Sequence, residues 1–296
     1  MNNFSINRFA KTLWWVICVY ARTLLLWCVA AITLVVFIGE ILFQEMNSYG
    51  DPWSAIHNFS QIAAGLFIIV SLIMISLFAF GINDKRKRAT FLMLPSSNLE
   101  KFLSLVVFTT VIGIACLFLA IVLGDSLRMA WYWLSGYQGP RMECVEMDGV
   151  TYHWWSSAIP QLIKELAPEA ITNPMELPMD WCIANGMLTF GLWLWLHSFY
   201  TLGGTLLRKY AFVATSICIL LCLIILVKTM AFIGLGMFQI SWEDGAVKEY
   251  EIGSMAYVLS VLLPIFAVFN YWASYSIFKG FQLITNKWMN YDIYKR

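Results

Sequence analysis

Few residues in this 296-residue chain are of types that do chemistry, and their spacing excludes more than it offers. The three histidines, His57, His153 and His197, are scattered. Zinc sites use recurrent spacings such as His-Glu-x-x-His and Cys-x-x-Cys, and neither motif occurs. Cys218 and Cys222 stand four apart, on one face of a helix, without a matching His or Cys pair. A metal centre is therefore not expected, nor is a cofactor held by this chain. The Gly-x-x-x-x-Gly-Lys-Ser/Thr loop that cradles phosphates is also missing. Two polar side chains fall inside long apolar runs, His197 and Lys228. An ionisable group at membrane depth is a functional candidate by default. The commoner alternatives are a neutral His bonded to a neighbouring helix and a Lys that snorkels to the surface. No Asp or Glu lies near the middle of an apolar run; Glu40 and Asp125 sit at the ends of two. Ion-coupled carriers place carboxylates at midplane, so these absences weigh against such a carrier and against a membrane enzyme.

The elements that must position these residues are membrane helices. The chain is 60% hydrophobic and 12% charged, with a mean hydropathy of +0.71. A soluble domain carries about 25% charge. A bilayer core takes about 20 apolar residues per helix, and six stretches qualify: roughly 24–43, 60–81, 103–124, 184–205, 210–232 and 254–277. The runs are continuous rather than alternating, which argues against a β-barrel. Residues 1–23 carry Arg8, Lys11 and Arg22 around Trp14-Trp15, with no small-x-small cleavage site after them. They read as an interfacial elbow helix, the alternative being the start of one long, tilted first span. The expected fold is an all-α polytopic membrane protein. It has six transmembrane helices, the elbow helix, and a mostly helical outer cap at 125–183, in a single domain of 1–296.

Charge orients the spans. With a cytoplasmic N-terminus, the inner side holds Arg8, Lys11, Arg22, Lys85, Arg86, Lys87, Arg88, Lys101, Arg208, Lys209, Lys279, Lys287, Lys295 and Arg296, which is 14 of the 19 cations. Only Asp84, Glu100 and Asp292 lie inside among the acids. This satisfies the positive-inside rule with both termini cytoplasmic. The basic runs are short and lie against apolar spans, so nucleic acid is not an expected partner. Cys144 and Cys182 are the two cysteines of the long outer segment. In an oxidising compartment they are the pair a disulfide would join.

The segment 83–102 is the most punctuated. Lys85 to Arg88 anchor a helix end at the inner leaflet. Pro95 biases Leu94 away from the helical basin and ends the apolar patch Phe91–Leu94. Ser97 then serves as N-cap of the next span, and Glu100, three residues on, completes a capping box.

The words of this segment, Leu94-Pro95-Ser96-Ser97-Asn98-Leu99-Glu100-Lys101-Phe102, resemble an LP-x-S-x-x-EK-F signature. That signature lies between the second and third spans in a family of six-helix bacterial ABC exporter permeases. Asn7-Arg8-Phe9 and Tyr275-Ser276-Ile277-Phe278-Lys279 are similar to that family's ends, while the long 125–183 segment departs from it. The resemblance implies an inner-membrane permease subunit without catalytic residues, paired with a second copy or paralogue. A separate ABC ATPase subunit would carry ATP and Mg. It implies that 83–102 is a cytoplasmic coupling loop. Phe91 and Leu92 would contact the ATPase, Lys87 and Arg88 would lie at the rim, and Pro95, Ser97, Glu100 and Lys101 would shape the loop. The alternative function is a membrane scaffold or sensor whose outer cap binds a ligand or partner.

Overall fold

The computed structural model describes residues 4–47, 52–76, 85–136, 144–147, 149–167, 178–207, 210–233, 238–243 and 246–280. Helices dominate. They are α1 (Ile6–Asn47), α2 (Pro52–Ser76), α3 (Lys85–Met93), α4 (Asn98–Val107), α5 (Gly113–Ser135), α6 (Ile159–Leu166), α7 (Met179–Leu206), α8 (Ala211–Ile233) and α9 (Ser254–Lys279). A π-helical turn, Phe108–Ile112, joins α4 to α5. Its cause lies in Thr109, whose hydroxyl donates to the carbonyls of Leu105 and Val106 at 3.1 and 3.2 Å and competes with the helical ladder.

Among the described residues, five helical stretches are long and apolar enough to cross a membrane: Ile6–Phe43, Pro52–Ser76, Asn98–Ser135, Ala211–Thr229 and Ser254–Lys279. Their outward side chains are apolar. On α8, Val213, Ile217, Leu220, Ile224 and Val227 are all exposed, as befits a surface solvated by lipid tails rather than water. The 28 residues of α7 are long enough to span but not among these five. A run of polar side chains lowers its apolarity, and His197, Ser198, Thr201 and Thr205 are all buried.

Two expectations differ from the structure. The elbow is not a separate element, because α1 runs unbroken through 42 residues, about 63 Å at 1.5 Å per residue. No proline or glycine interrupts residues 6–38, so nothing breaks the helix at the polar-to-apolar change. The expected all-α fold also needs an addition, because the outer segment, read as mostly helical, holds strands besides its helices. Strands β1 (Cys144–Met147) and β2 (Val150–His153) form an antiparallel hairpin before α6. A second hairpin, β3 (Phe238–Glu243) with β4 (Ala246–Ile252), precedes α9 and carries a register irregularity at Ser241/Trp242. Asp-Gly stands between the strands in both. This is the dipeptide of two-residue hairpin loops that need positive φ, and Gly149 has φ 73°.

The chain divides into two units. The first comprises Met1–Val16, Leu72–Thr109 and Pro168–Arg296. In it α7 packs along α9 and beside α8, around Ile75, Tyr200 and Ile219. The second comprises Ile17–Ser71 and Thr110–Ala167. Its core gathers Val35, Phe43, Phe59, Ile121, Trp154 and Leu162.

Candidate functional site

Ser97 is the N-cap of α4, with extended φ/ψ of −68°/158°. Its Oγ accepts from Glu100 N at 3.2 Å, and Glu100 Oε2 accepts from Ser97 N at 2.8 Å. The capping box read from the sequence is therefore present. The other carboxylate oxygen of Glu100 does something the spacing did not reveal. It accepts from Ser5 N at 2.8 Å and from Arg8 Nε and Nη2 at 3.3 and 3.0 Å. The carboxyl is fully buried while Arg8 is 39% exposed. Donors on both oxygens favour the ionised form and fasten the start of α1 to the start of α4.

The turn before α4 is held from both sides. Leu94 N donates to Phe91 O at 3.3 Å and Ser96 N to Leu94 O at 2.8 Å, around Pro95. Lys101, on the first turn of α4, reaches back and donates from Nζ to Leu92 O at 2.8 Å. It thus satisfies a carbonyl at the C-terminal end of α3, where a cation is also favoured by the helix dipole. Pro95, Ser97, Glu100 and Lys101 are thus the residues that shape this segment.

Phe91 corrects the sequence reading. It was expected to face a partner, but it is 2% exposed. Its ring lies 5.7 Å from Trp15 and 6.4 Å from Phe278, centroid to centroid. The physical reason is that α3 turns this face inward onto α1 and α9, where a phenyl ring gains more from burial than from water. Leu92 is half-buried. The apolar side chain that α3 does show outward is Met93, 78% exposed. Lys87 and Arg88 belong to α3, but their side chains lie outside the described part. Phe102 packs on Tyr275 at 5.5 Å and on Phe278 at 5.6 Å, and Lys279 Nζ sits 4.4 Å over the Tyr275 ring. Three segments far apart in sequence therefore meet here: Ser5–Trp15, Phe91–Phe102 and Tyr275–Lys279.

His197 is 3% exposed on α7. Its Nδ1 pairs with the Tyr271 hydroxyl of α9, as the interhelical alternative expected. Its Nε2 is buried without a hydrogen-bond partner among the described residues. Beside this pair, Asn270 Nδ2 donates to Ser198 Oγ at 3.2 Å, Ser198 following His197 and Asn270 preceding Tyr271. Lys228 is exposed on α8, consistent with snorkelling rather than lining. Cys144 is exposed, Cys182 is buried, and no disulfide joins them.

Sequence reasoning missed a second polar cluster. Asp125 and Arg128, on α5, are each 1% exposed at the side chain and meet at 2.7 Å. Asp125 Oδ2 accepts from Ser157 Oγ at 2.8 Å and Ala158 N at 3.0 Å. Arg128 donates to the carbonyls of Trp154 and Ser156 at 3.3 and 2.7 Å, and its guanidinium lies 4.4 Å over the Phe43 ring. The signal was an acid and a base one helical turn apart beyond an apolar run. Among the described residues no group of three or more His, Cys, Asp or Glu is placed to hold a metal. Comparison with family models, curated proteins and solved structures finds no match to this chain.

Proposed function

We propose that the chain is the membrane-spanning permease subunit of a bacterial ABC exporter, working with a separate ATPase that carries ATP and Mg. In this reading α7 is a further span, fourth in chain order, and brings the number to six. Its 28 residues measure about 42 Å, against a hydrocarbon core of about 30 Å. Both termini face the cytoplasm, the amphipathic start of α1 lies at the inner interface, and a second copy or paralogue completes the pathway.

The observation that carries the proposal is the convergence at Glu100 and Phe91. The three stretches that resemble the permease family are distant in sequence, yet they form one packed group through Arg8–Glu100, Phe91–Phe278 and Phe102–Tyr275. A short helix between two spans, wedged by one ring onto the first and last of them, is built to pass a push into both. Phe91 is then the internal relay, and Met93 is the contact with the ATPase.

The test is co-purification with a candidate ABC ATPase, with ATP turnover measured in lipid discs. Met93→Asp should leave the protein folded and weaken association by about 1.4 kcal/mol or more, tenfold in affinity. Phe91→Ala should instead destabilise the protein itself, by about 3–5 kcal/mol as a buried ring is lost. Normal recruitment and turnover with Met93→Asp would remove α3 from the interface. Failure of the unaltered chain to recruit any ATPase would leave the scaffold or sensor alternative.

A further inference from the structure

We propose that His57 is a proton-controlled latch that fastens α6 onto α2. The evidence is the opposed character of the groups facing one ring nitrogen. Nδ1 of His57 lies 3.3 Å from the Gln161 amide nitrogen, which can only donate. The same atom lies 3.6 Å from Glu165 Oε1, which as a carboxylate can only accept. Gln161 and Glu165 stand four apart on α6, so one face of that helix presents both. A neutral ring with a bare Nδ1 accepts a hydrogen bond from Gln161 Nε2. A charged ring carries hydrogen on both nitrogens and must give one to Glu165. The protonation state therefore decides whether Glu165 is held by an ion pair.

Two neighbours hold the ring where this choice is made. Trp53 stacks on it, with centroids 5.0 Å apart and planes 7° apart. Such a face also favours a cation. On the far side, Gln61 Nε2 lies 3.1 Å from Nε2 of His57. A neutral imidazole offers one acceptor, so it cannot serve the amides of both Gln61 and Gln161 as they stand. Charging the ring obliges Gln61 to turn its oxygen inward and frees Nδ1 for Glu165.

Glu165 is the charged group facing the ring from α6; Lys164, its neighbour, is exposed. Among the described residues, Asp125 is engaged with Arg128 and Glu40 with the Tyr132 hydroxyl. Histidine changes charge between about pH 5 and 8. The ion pair exists only with the ring charged. Protonation of the ring therefore closes the latch and loss of that proton releases it. Nothing in this inference depends on the proposed transport function.

The experiment is hydrogen exchange on the full chain in lipid discs, read over the amides of α6 and corrected for the pH dependence of exchange in an unstructured peptide. Unaltered protein should show two- to fivefold greater protection of α6 near pH 5.5 than near pH 8, the effect of a partly exposed ion pair. Glu165→Gln and His57→Phe, the latter keeping the stack on Trp53, should each show no such ratio. Unchanged protection of α9 amides reports that each variant is folded. A flat profile in the unaltered chain overturns the latch, as does the same acid-dependent ratio in Glu165→Gln. If His57→Phe does not fold, the Glu165→Gln comparison alone decides.

Discussion

Replacing Asp125 with Asn is a one-atom change with a large expected cost. Both carboxylate oxygens are committed. Oδ1 accepts from Arg128 Nε and Nη2 at 3.0 and 2.7 Å, and Oδ2 accepts from Ser157 Oγ and Ala158 N. An Asn side chain has one acceptor and one NH2. Whichever way the amide turns, its NH2 meets another donor, either the guanidinium or the Ala158 N–H. Arg128 is meanwhile left 2% exposed without a counter-charge. Removing one partner from a buried pair costs about 3–5 kcal/mol. For a chain of this size that corresponds to a fall in Tm of roughly 6 °C or more. The loss should be read as thermal unfolding in detergent or lipid discs, using tryptophan fluorescence, because Trp154 is fully buried beside the pair.

The double variant Asp125→Leu/Arg128→Met sharpens the argument. A pair that bonded only to itself can often be exchanged for apolar groups at little cost. Here the exchange would also strand the Ala158 N–H and the carbonyls of Trp154 and Ser156, at about 1–3 kcal/mol for each buried orphan. The double variant should therefore remain less stable than the unaltered chain. A Tm for Asp125→Asn within 1 °C of the original, or full recovery in the double variant, would refute the view that this pair holds the 154–158 segment through its backbone.

Two further outcomes follow from close contacts. Ser97→Ala removes the side-chain half of the α4 cap and should lower stability by about 1 kcal/mol, whereas Ser97→Asn should retain it, since Asn caps as well as Ser and adds no charge beside the buried Glu100. Equal losses for Ala and Asn in thermal unfolding would show that the hydroxyl has another task. Gly203 of α7 packs against α8 so closely that a Cβ there would overlap the Thr215 side chain. Gly203→Ala should cost about 1–3 kcal/mol, and a neutral result would mean that α7 and α8 separate more easily than their packing implies.

The spans were legible because a run of about 20 apolar residues has few fates. The run in α7 was legible from length, although its buried polar face dilutes its apolarity. The cap at Ser97 was legible because it is local: donor, acceptor and turn all lie within four residues. The elbow is not legible from polarity, because a change of polarity is not a change of structure and α1 crosses that boundary without a break. Both hairpins carried an Asp-Gly signal that the search for apolar periodicity passed over. The inward turn of Phe91 was not legible, because it depends on Trp15 and Phe278, distant in sequence. Exposure in a nine-residue helix is decided by what packs on it, not by which residue is largest.

Glu100 and Asp125 point to a common rule in this chain. Lipid tails are as apolar as leucine, so hydrophobicity alone does little to choose which segment of a membrane protein lies against which helix. A buried carboxylate does choose, because it must find donors or remain strongly unfavourable. Glu100 accepts a main-chain N–H from Ser5 and Asp125 one from Ala158, and each also holds an arginine. In both cases the acid sits on a helix and the accepted N–H belongs to a short connecting or terminal segment. Neither acid is near the middle of a span, which counted in the sequence against ion coupling. The same placement suits them to fasten segments at the ends of the third apolar stretch, where water no longer competes fully and hydrocarbon does not yet forbid charge.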